Sequence, residues 1–221
     1  LGPLGEVVSL QPATKPKPKP EGELFAISRP LDIEGVEGVK EWSSPSAIVP
    51  ADFDGDGQLD LLLCNALEDG TSHAFLQGKE SGTGFRYLSE HPLAKVQGHA
   101  AMVADLDHSA GREVAFVSDS SSGIQLWQST EKGIVPVVDE ALALAHAAQT
   151  IRATDVDHDG DLDLLTESGL FTANGDGSWR RQTEGLEALS SDAVSVLPMD
   201  LDQDRDRDLV VVGQQGLWVI R

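Results

Sequence analysis

The sequence has little of several residue types, and each shortage narrows what it can encode. Its 221 residues include one cysteine, one tyrosine, and 16 basic residues against 37 acidic ones, for a formal net charge of −21. The one cysteine, Cys64, cannot form an internal disulfide, and its apolar neighbours in LDLLLCN predict an inert buried thiol. So few basic residues exclude sequence-independent nucleic-acid binding, which needs a basic face to neutralise phosphates. No apolar run approaches the ~20 residues that span a bilayer, so we expect no membrane span.

The composition is that of a folded protein preceded by a proline-rich segment. Hydrophobic residues make up 40% of the chain and charged residues 24%, which is enough apolar material for a core. The alternating prolines of KPKPKP at 15–20 favour an extended spacer, so we expect residues 1–22 to form a tail or linker. The first residues, LGPLGEVV, contain no initiator methionine or apolar leader. We therefore expect a processed chain or a fragment of a larger multidomain protein.

Internal repeats organise the rest of the chain. Four segments align without gaps: PADFDGDGQLDLLL, VADLDHSAGREVAF, ATDVDHDGDLDLLT and PMDLDQDRDRDLVV. Their first acids are Asp52, Asp105, Asp155 and Asp200, spaced 53, 50 and 45 residues apart. This period is typical of the blades of a β-propeller.

Each repeat contains the pattern of four short strands. An apolar strand leads into the acidic loop, a nearly continuous apolar strand follows it, and two more strands come after Gly-, Ser- and Asn-containing turns. The run DEALALAHAAQ from Asp139 falls between two repeats and is predicted to be a connector with one helical turn. We therefore predict an all-β fold over residues 23–221, a β-propeller of four-stranded antiparallel blades with four blades recognisable.

The ends of the repeats leave two arrangements open. The last repeat stops at Arg221 after its third strand, while ELFAISRPLD from Glu23 resembles the fourth-strand segment of the first repeat. An N-terminal strand that completed the last blade would close a four-bladed ring and protect its edges. Alternatively, the four blades are part of a larger propeller.

The acidic loops, at 52–60, 105–113, 155–163 and 200–208, predict cation sites. Counting the first acid as position 1, side-chain oxygens stand at positions 1, 3, 5 and 9, and a backbone carbonyl is available at position 7. Oxygens at alternate positions of a tight loop converge on one point, as Ca²⁺ requires with its six to eight oxygen ligands. The candidate ligands are Asp52, Asp54, Asp56, Gln58 and Asp60; Asp105, Asp107, Ser109 and Glu113; Asp155, Asp157, Asp159, Asp161 and Asp163; Asp200, Asp202, Asp204, Asp206 and Asp208.

The loops differ in how fully they keep this pattern. Loops one and three have glycine at position 6, whereas loop four has Arg205 and loop two has Ala110 there. The competing interpretation is a metal-free Asx turn, since Asp and Gly favour turns by themselves. Clustered carboxylates argue for a cation, because they repel one another unless a cation or protons neutralise them. An EF-hand is excluded, because position 12 holds Leu63 or Thr166 instead of glutamate and the flanking segments are strands.

The D-x-D-x-D-G-x-x-D loop between two apolar strands, repeated at blade period, resembles the FG-GAP or VCBS repeats of integrin alpha-chain-type β-propellers. The resemblance covers about residues 23–221 and implies calcium in the loops between the first and second strands of the blades. It also implies a calcium-binding interaction module for protein or cell-surface ligands, of the kind used in adhesion.

The function classes that stay open differ in their ligand. Some members of this repeat family are lectins, so a carbohydrate-binding propeller is the first alternative, and an accessory or catalytic propeller of a polysaccharide-active enzyme is the second. The sequence contains no H-E-x-x-H, no G-x-S-x-G and no phosphate-binding glycine loop, so we expect a non-catalytic module with its ligand at the loop face. Calcium loops and the resemblance together predict a secreted, periplasmic or cell-surface location.

Overall fold

The described residues form four β-sheets, each containing the two strands that flank one of the acidic loops. The computed structural model describes residues 32–36, 45–54, 56–65, 74–78, 84–96, 98–109, 111–117, 123–130, 133–145, 148–187, 189 and 193–221. Sheet one contains β1 (Asp32–Glu34), β2 (Ala47–Ala51), β3 (Asp60–Cys64), β4 (Ala74–Gly78) and β5 (Gly84–Tyr87). Sheet two contains β6 (Ala100–Ala104), β7 (Glu113–Val117), β8 (Gln125–Thr130) and β9 (Gly133–Val137). Sheet three contains β10 (Ile151–Thr154), β11 (Asp163–Thr166), β12 (Gly169–Ala173) and β13 (Trp179–Gln182), and sheet four contains β14 (Ala193–Met199), β15 (Asp208–Gly213) and β16 (Gly216–Ile220).

The strand order within each sheet follows the chain. From β2 to β5, β6 to β9, β10 to β13 and β14 to β16, each strand pairs antiparallel with the next. A short 3-10 helix (Pro92–Lys95) follows sheet one, and the one-turn helix α1 (Glu140–Ala143) lies between sheets two and three. The predictions of an all-β fold and of a single helical turn near Asp139 are therefore confirmed.

One strand was not predicted. β1 adds to the outer edge of sheet one and runs parallel to β5, with Asp32 opposite Gly84. The segment proposed to complete the last blade spans residues 23–32, of which 23–31 lie outside the described residues, as does the predicted tail at 1–22. Its described end, Asp32, begins the added strand of sheet one.

The strand that follows each acidic loop is called here the second strand of its sheet, β1 not being counted; these strands are β3, β7, β11 and β15. Their side chains point alternately to the two faces of the sheet, and this alternation determines how neighbouring sheets pack. Continuing the loop count, positions 11 and 13 of a second strand lie against the next sheet, and positions 10 and 12 lie against the previous one. Between sheets one and two, Leu62 and Cys64 meet Val114 and Phe116. Between sheets two and three the core includes Ala115, Val117, Leu164, Phe171 and Trp179; between sheets three and four it includes Leu165, Val196, Leu209 and Val211.

This packing explains the continuous apolar runs that follow each loop. Every residue of β7 and β11 is buried, because these strands have a sheet on both sides. Cys64 is fully buried in the first of the three cores, as predicted, and burial raises the pKa of its thiol to about 12. Across the described ranges, no helix combines the length and hydropathy needed to cross a bilayer.

Candidate metal and ligand sites

All four acidic loops bring three carboxylates together. Each loop joins the first strand of a sheet to the second, and the acids at positions 1, 3 and 9 each place one oxygen within 4.8 Å of the others. The loop with the weakest sequence pattern, at 105–113, forms this cluster as well as the rest. The clusters are Asp52, Asp54 and Asp60; Asp105, Asp107 and Glu113; Asp155, Asp157 and Asp163; and Asp200, Asp202 and Asp208.

The acid at position 9 fastens the loop to the sheet. In loop one, Asp60 is fully buried and accepts hydrogen bonds from the backbone N–H of Phe53 (3.0 Å) at the start of the loop and of Gly78 (2.8 Å) at the end of the third strand. Asp163 accepts the equivalent bonds from Val156 (2.8 Å) and Ala173 (3.1 Å) in loop three. This acid therefore fixes the cluster relative to the core.

Burial of these acids makes their ionised form costly. Desolvation raises the pKa of Asp60 to about 6, with neighbouring Asp54 and Asp56 adding to the increase and the two backbone hydrogen bonds opposing it. The pKa of Asp163 is raised to about 6 for the same reason, and burial also raises the pKa of Glu113. A bound cation would offset this cost.

In loops three and four, the acid at position 1 has one oxygen in a hydrogen bond within the loop and its other oxygen buried without a partner. The Oδ2 atom of Asp155 accepts from the Gly160 N–H (3.3 Å), and that of Asp200 accepts from the Arg205 N–H (3.1 Å). The Oδ1 atoms of Asp105, Asp155 and Asp200 are buried without a hydrogen-bond partner, and so is Oε1 of Glu113. Buried carboxylate oxygens without partners fit the donor set of a hard cation.

The acids at position 5, Asp56, Asp159 and Asp204, are not part of these carboxylate clusters. The Oδ1 atom of Asp56 accepts a hydrogen bond from the Gln58 N–H (2.7 Å). In the same way, Asp159 Oδ1 accepts from the Asp161 N–H (2.9 Å), and Asp204 Oδ1 accepts from the Asp206 N–H (3.0 Å). In loop two, Ser109 Oγ accepts instead from the Gly111 N–H at 3.3 Å. Position 5 thus forms the Asx-type turn that was the competing interpretation, alongside a carboxylate cluster at positions 1, 3 and 9.

Two loop positions adopt left-handed backbone. Position 6 has φ of +83° at Gly57, +98° at Gly160 and +83° at Arg205. Position 4, which the sequence pattern did not single out, is left-handed as well: His108, His158 and Gln203 have φ of +56°, +61° and +66°. These residues accept a conformation that glycine adopts more easily.

The position-3 acid also has a partner on the third strand. Gln77 Nε2 donates to Asp54 Oδ2 (2.6 Å), and Gln128 Nε2 donates to Asp107 Oδ2 (2.5 Å). In sheet four, Arg221 Nε lies 3.7 Å from Asp202 Oδ2. These partners were not predicted from the sequence. They share one place, the residue that follows the third-strand residue opposite position 10, so an alignment of the third strands would have found them.

A pocket of about 150 Å³ opens between loops two and three. Its inner wall is apolar and includes Leu126, Val137 and Trp179, of which Trp179 is 8% exposed. Its rim is polar, with Asp107, Gln128 and Ser178. Ser178 belongs to the hairpin after β12, where Asp176 Oδ1 accepts from its N–H (3.0 Å).

His108 and Asp161 complete the rim and connect two sheets. His108 Nε2 lies 2.9 Å from Asp161 Oδ1, across the gap between loops two and three. The ring itself is largely exposed. The pocket therefore offers a bound molecule an indole, several apolar side chains, and both hydrogen-bond donors and acceptors.

Comparisons with known proteins bear on the fold. No protein-family model matches the chain, and no curated protein matches it. Among solved structures, it is similar to an Agrocybe aegerita lectin reported for specific recognition of non-reducing terminal N-acetylglucosamine, with a TM-score of 0.53 and 14% identity over 86% of this chain and 53% of the lectin. It also matches the V. cholerae biofilm matrix protein Bap1, with a TM-score of 0.44 and 16% identity over 80% of this chain and 30% of Bap1. The chain thus spans about half or less of these proteins, and the lectin shares its all-β fold.

Proposed function

We propose that this chain is a cation-stabilised carbohydrate-binding module whose four sheets are consecutive blades of a β-propeller. The observation that carries the proposal is the pocket between loops two and three, which Trp179 lines together with several polar groups. Similarity in fold to a lectin supports the carbohydrate over the protein ligand that the sequence first suggested. We also propose an extracellular location, which suits both the ligand and the cation loops.

The pocket suits a sugar because a sugar ring has two kinds of surface. Its C–H face can lie on Trp179, while its hydroxyls can meet the carboxylates, amide and hydroxyl of the rim. At about 150 Å³ the pocket is smaller than the ~300–1,000 Å³ of sites for drug-sized ligands. It therefore fits one terminal sugar residue better than a long chain segment.

The cation's proposed role is to hold the loops that shape the pocket. We assign it to the carboxylates at positions 1, 3 and 9 of each loop, and we keep the residues at positions 5 and 7 as candidate further ligands. When bound, Ca²⁺ would supply charge neutralisation and a fixed coordination centre. We also propose that the four repeats are of the FG-GAP type, because their acidic loops recur at the spacing of propeller blades.

The test is glycan binding by the whole chain in millimolar calcium. We expect an array to show binding to glycans with a terminal N-acetylhexosamine or related sugar, and chromatography of the incubated glycans to show no cleavage products. His108→Ala, which removes one rim group, should weaken binding about tenfold, the loss expected for one hydrogen bond of ~1.4 kcal/mol. Binding to no glycan would contradict the proposal.

His158→Ala is the matched control. His158 occupies the same position 4 in loop three, with nearly the same φ, but it does not line the pocket. It should bind glycans like the unmodified chain. Equal losses for the two variants would place the sugar elsewhere, and release of a cleaved sugar would favour the polysaccharide-active alternative.

A further inference from the structure

The pocket between loops two and three shares two side chains with the acidic cluster of loop two. Asp107 and Glu113 belong to that cluster and also line the pocket. Loop three, on the opposite side, contributes Asp161, which is not one of its cluster acids. A cation in loop two and a molecule in the pocket would therefore lie against the same two carboxylates.

The acid at position 9 of loop two is held differently from its counterparts. In loops one and three, both oxygens of this acid accept backbone N–H groups, one at the start of the loop and one at the end of the third strand. In sheet two that third-strand N–H belongs to Ser129, and it donates to the Arg112 carbonyl instead (3.1 Å). Glu113 thus keeps the first of these two hydrogen bonds, which its Oε2 accepts from the Leu106 N–H (2.7 Å).

The other oxygen of this side chain is buried beside the pocket. Glu113 is 2% exposed, and its Oε1 atom has no hydrogen-bond partner. Oδ1 of Asp105, in the same cluster, is also buried without one. Buried polar atoms without partners are few in folded proteins and call for a ligand such as an ion or water. Three converging carboxylates with two such oxygens are the donor set of a hard cation.

We propose that loop two is the ligand-linked cation site of this protein, where cation binding by Asp105, Asp107 and Glu113 and sugar binding in the pocket strengthen each other. This inference rests on the proposed carbohydrate-binding function. Its physical reason is desolvation. A sugar that covers Asp107 removes water from a cluster of like charges, and this costs less when a cation neutralises the cluster. Such coupling is reciprocal by thermodynamic necessity.

The coupling should be specific to loop two. None of the cluster acids described in loops one, three and four lines this pocket. A cation in those loops therefore stabilises the fold without facing the sugar. This difference separates a linked site from a general effect of calcium on stability.

The experiment measures binding of the full chain to an array of single terminal sugars, N-acetylglucosamine among them, from EDTA to millimolar calcium. We expect calcium to raise the affinity for the bound sugar about tenfold, within the ~5–150-fold range of coupled sites. Calorimetry of the unmodified chain should show the reciprocal effect: saturating sugar tightens one calcium site by the same factor. This second measurement needs no variant.

Asp105→Asn is the decisive variant, because Asp105 belongs to the cluster of loop two but does not line the pocket. In millimolar calcium it should bind the sugar about as weakly as the unmodified chain does in EDTA. Asp200→Asn is the matched control, since Asp200 holds the same position 1 in loop four and has the same buried, unpartnered oxygen. It should lose one calcium and keep the full sugar affinity.

The outcomes separate this inference from the function on which it rests. Sugar binding that calcium does not change, or that Asp105→Asn leaves intact, would overturn the linkage and retain the carbohydrate-binding function. Equal losses in both variants, each folded by circular dichroism, would overturn it too, because calcium would then act through general stability. Binding to no sugar in any condition would contradict the proposed function itself, and the linkage with it.

Discussion

Removing the cation should destabilise this protein by an amount that depends on loop geometry. Each loop holds three carboxylate oxygens within 4.8 Å, and at that separation each pair repels by about 1 kcal/mol in water and about 3 kcal/mol at an effective dielectric constant of ~20. A cation that binds only the folded state stabilises it by about 2.7 kcal/mol per site at 100 times its Kd. For a domain of this size, ~1 kcal/mol moves Tm by about 2–4 °C. Each filled site should therefore raise Tm by about 5–10 °C.

The decisive variant is Asp157→Asn in loop three. In 10 mM calcium, scanning calorimetry should show a smaller calcium-induced rise in Tm than for the unmodified chain, because one site is lost. In EDTA the variant should melt at the same temperature or slightly higher, because one carboxylate has left a repelling cluster. This reversal distinguishes a cation ligand from a residue whose loss simply damages the fold.

Its control and its refutation are equally specific. Glu184→Gln removes one acid from an exposed turn outside every cluster, and its Tm should respond to calcium as in the unmodified chain. A melting temperature that calcium and EDTA leave unchanged would refute the cation assignment. An unchanged calcium stoichiometry in Asp157→Asn would refute the role of this residue.

Three further outcomes are expected. Arg205→Gly should stabilise the chain by about 1 kcal/mol in urea unfolding, because glycine relieves a backbone φ of +83°; no gain would mean that the arginine makes compensating contacts. His91 stacks on Phe75 at 3.7 Å, and burial lowers the pKa of its imidazole to about 4, the Asp54 charge opposing the shift. Because the unfolded chain takes up this proton first, about 2 kcal/mol should be lost between pH 7 and pH 5, and His91→Phe should lose less over that range. Phe116→Ala, in the core between sheets one and two, should cost about 3–5 kcal/mol, whereas Leu144→Ala at an exposed site should cost almost nothing.

The sequence predicted well what depends on local pattern. Apolar runs such as LDLLLC and the fixed offset of each acid predicted β3, the loop before it and the convergence of Asp52, Asp54 and Asp60. The same pattern made loop two the weakest candidate, because it has Glu113 where the other loops have aspartate. Glutamate is one carbon longer, yet Glu113 accepts the equivalent hydrogen bond from the Leu106 N–H at 2.7 Å. A side chain's reach is a three-dimensional property that position alone does not give.

Features that depend on how sheets are offset could not be predicted. The His108–Asp161 contact joins residues 53 positions apart, and the pocket beneath it exists only because the hairpin at 174–178 meets loop two. The parallel pairing of β1 with β5 likewise has no local signal, since three residues, DIE, fit many edges. The left-handed φ of His158 was not predicted either, because positive φ is uncommon for any residue other than glycine, even for histidine, which is enriched there.

Because the second strands of the two middle sheets pack against a neighbouring sheet on each face, they also determine the order in which the sheets unfold. A sheet that has a neighbour on both sides can open only by breaking two apolar interfaces, whereas sheet four breaks one and has three strands within the described residues. Opening free energies should then fall towards the ends of the array, as in a chain of nearest-neighbour units. Native-state hydrogen exchange should find the slowest amides in β7 and β11 and faster exchange in β15.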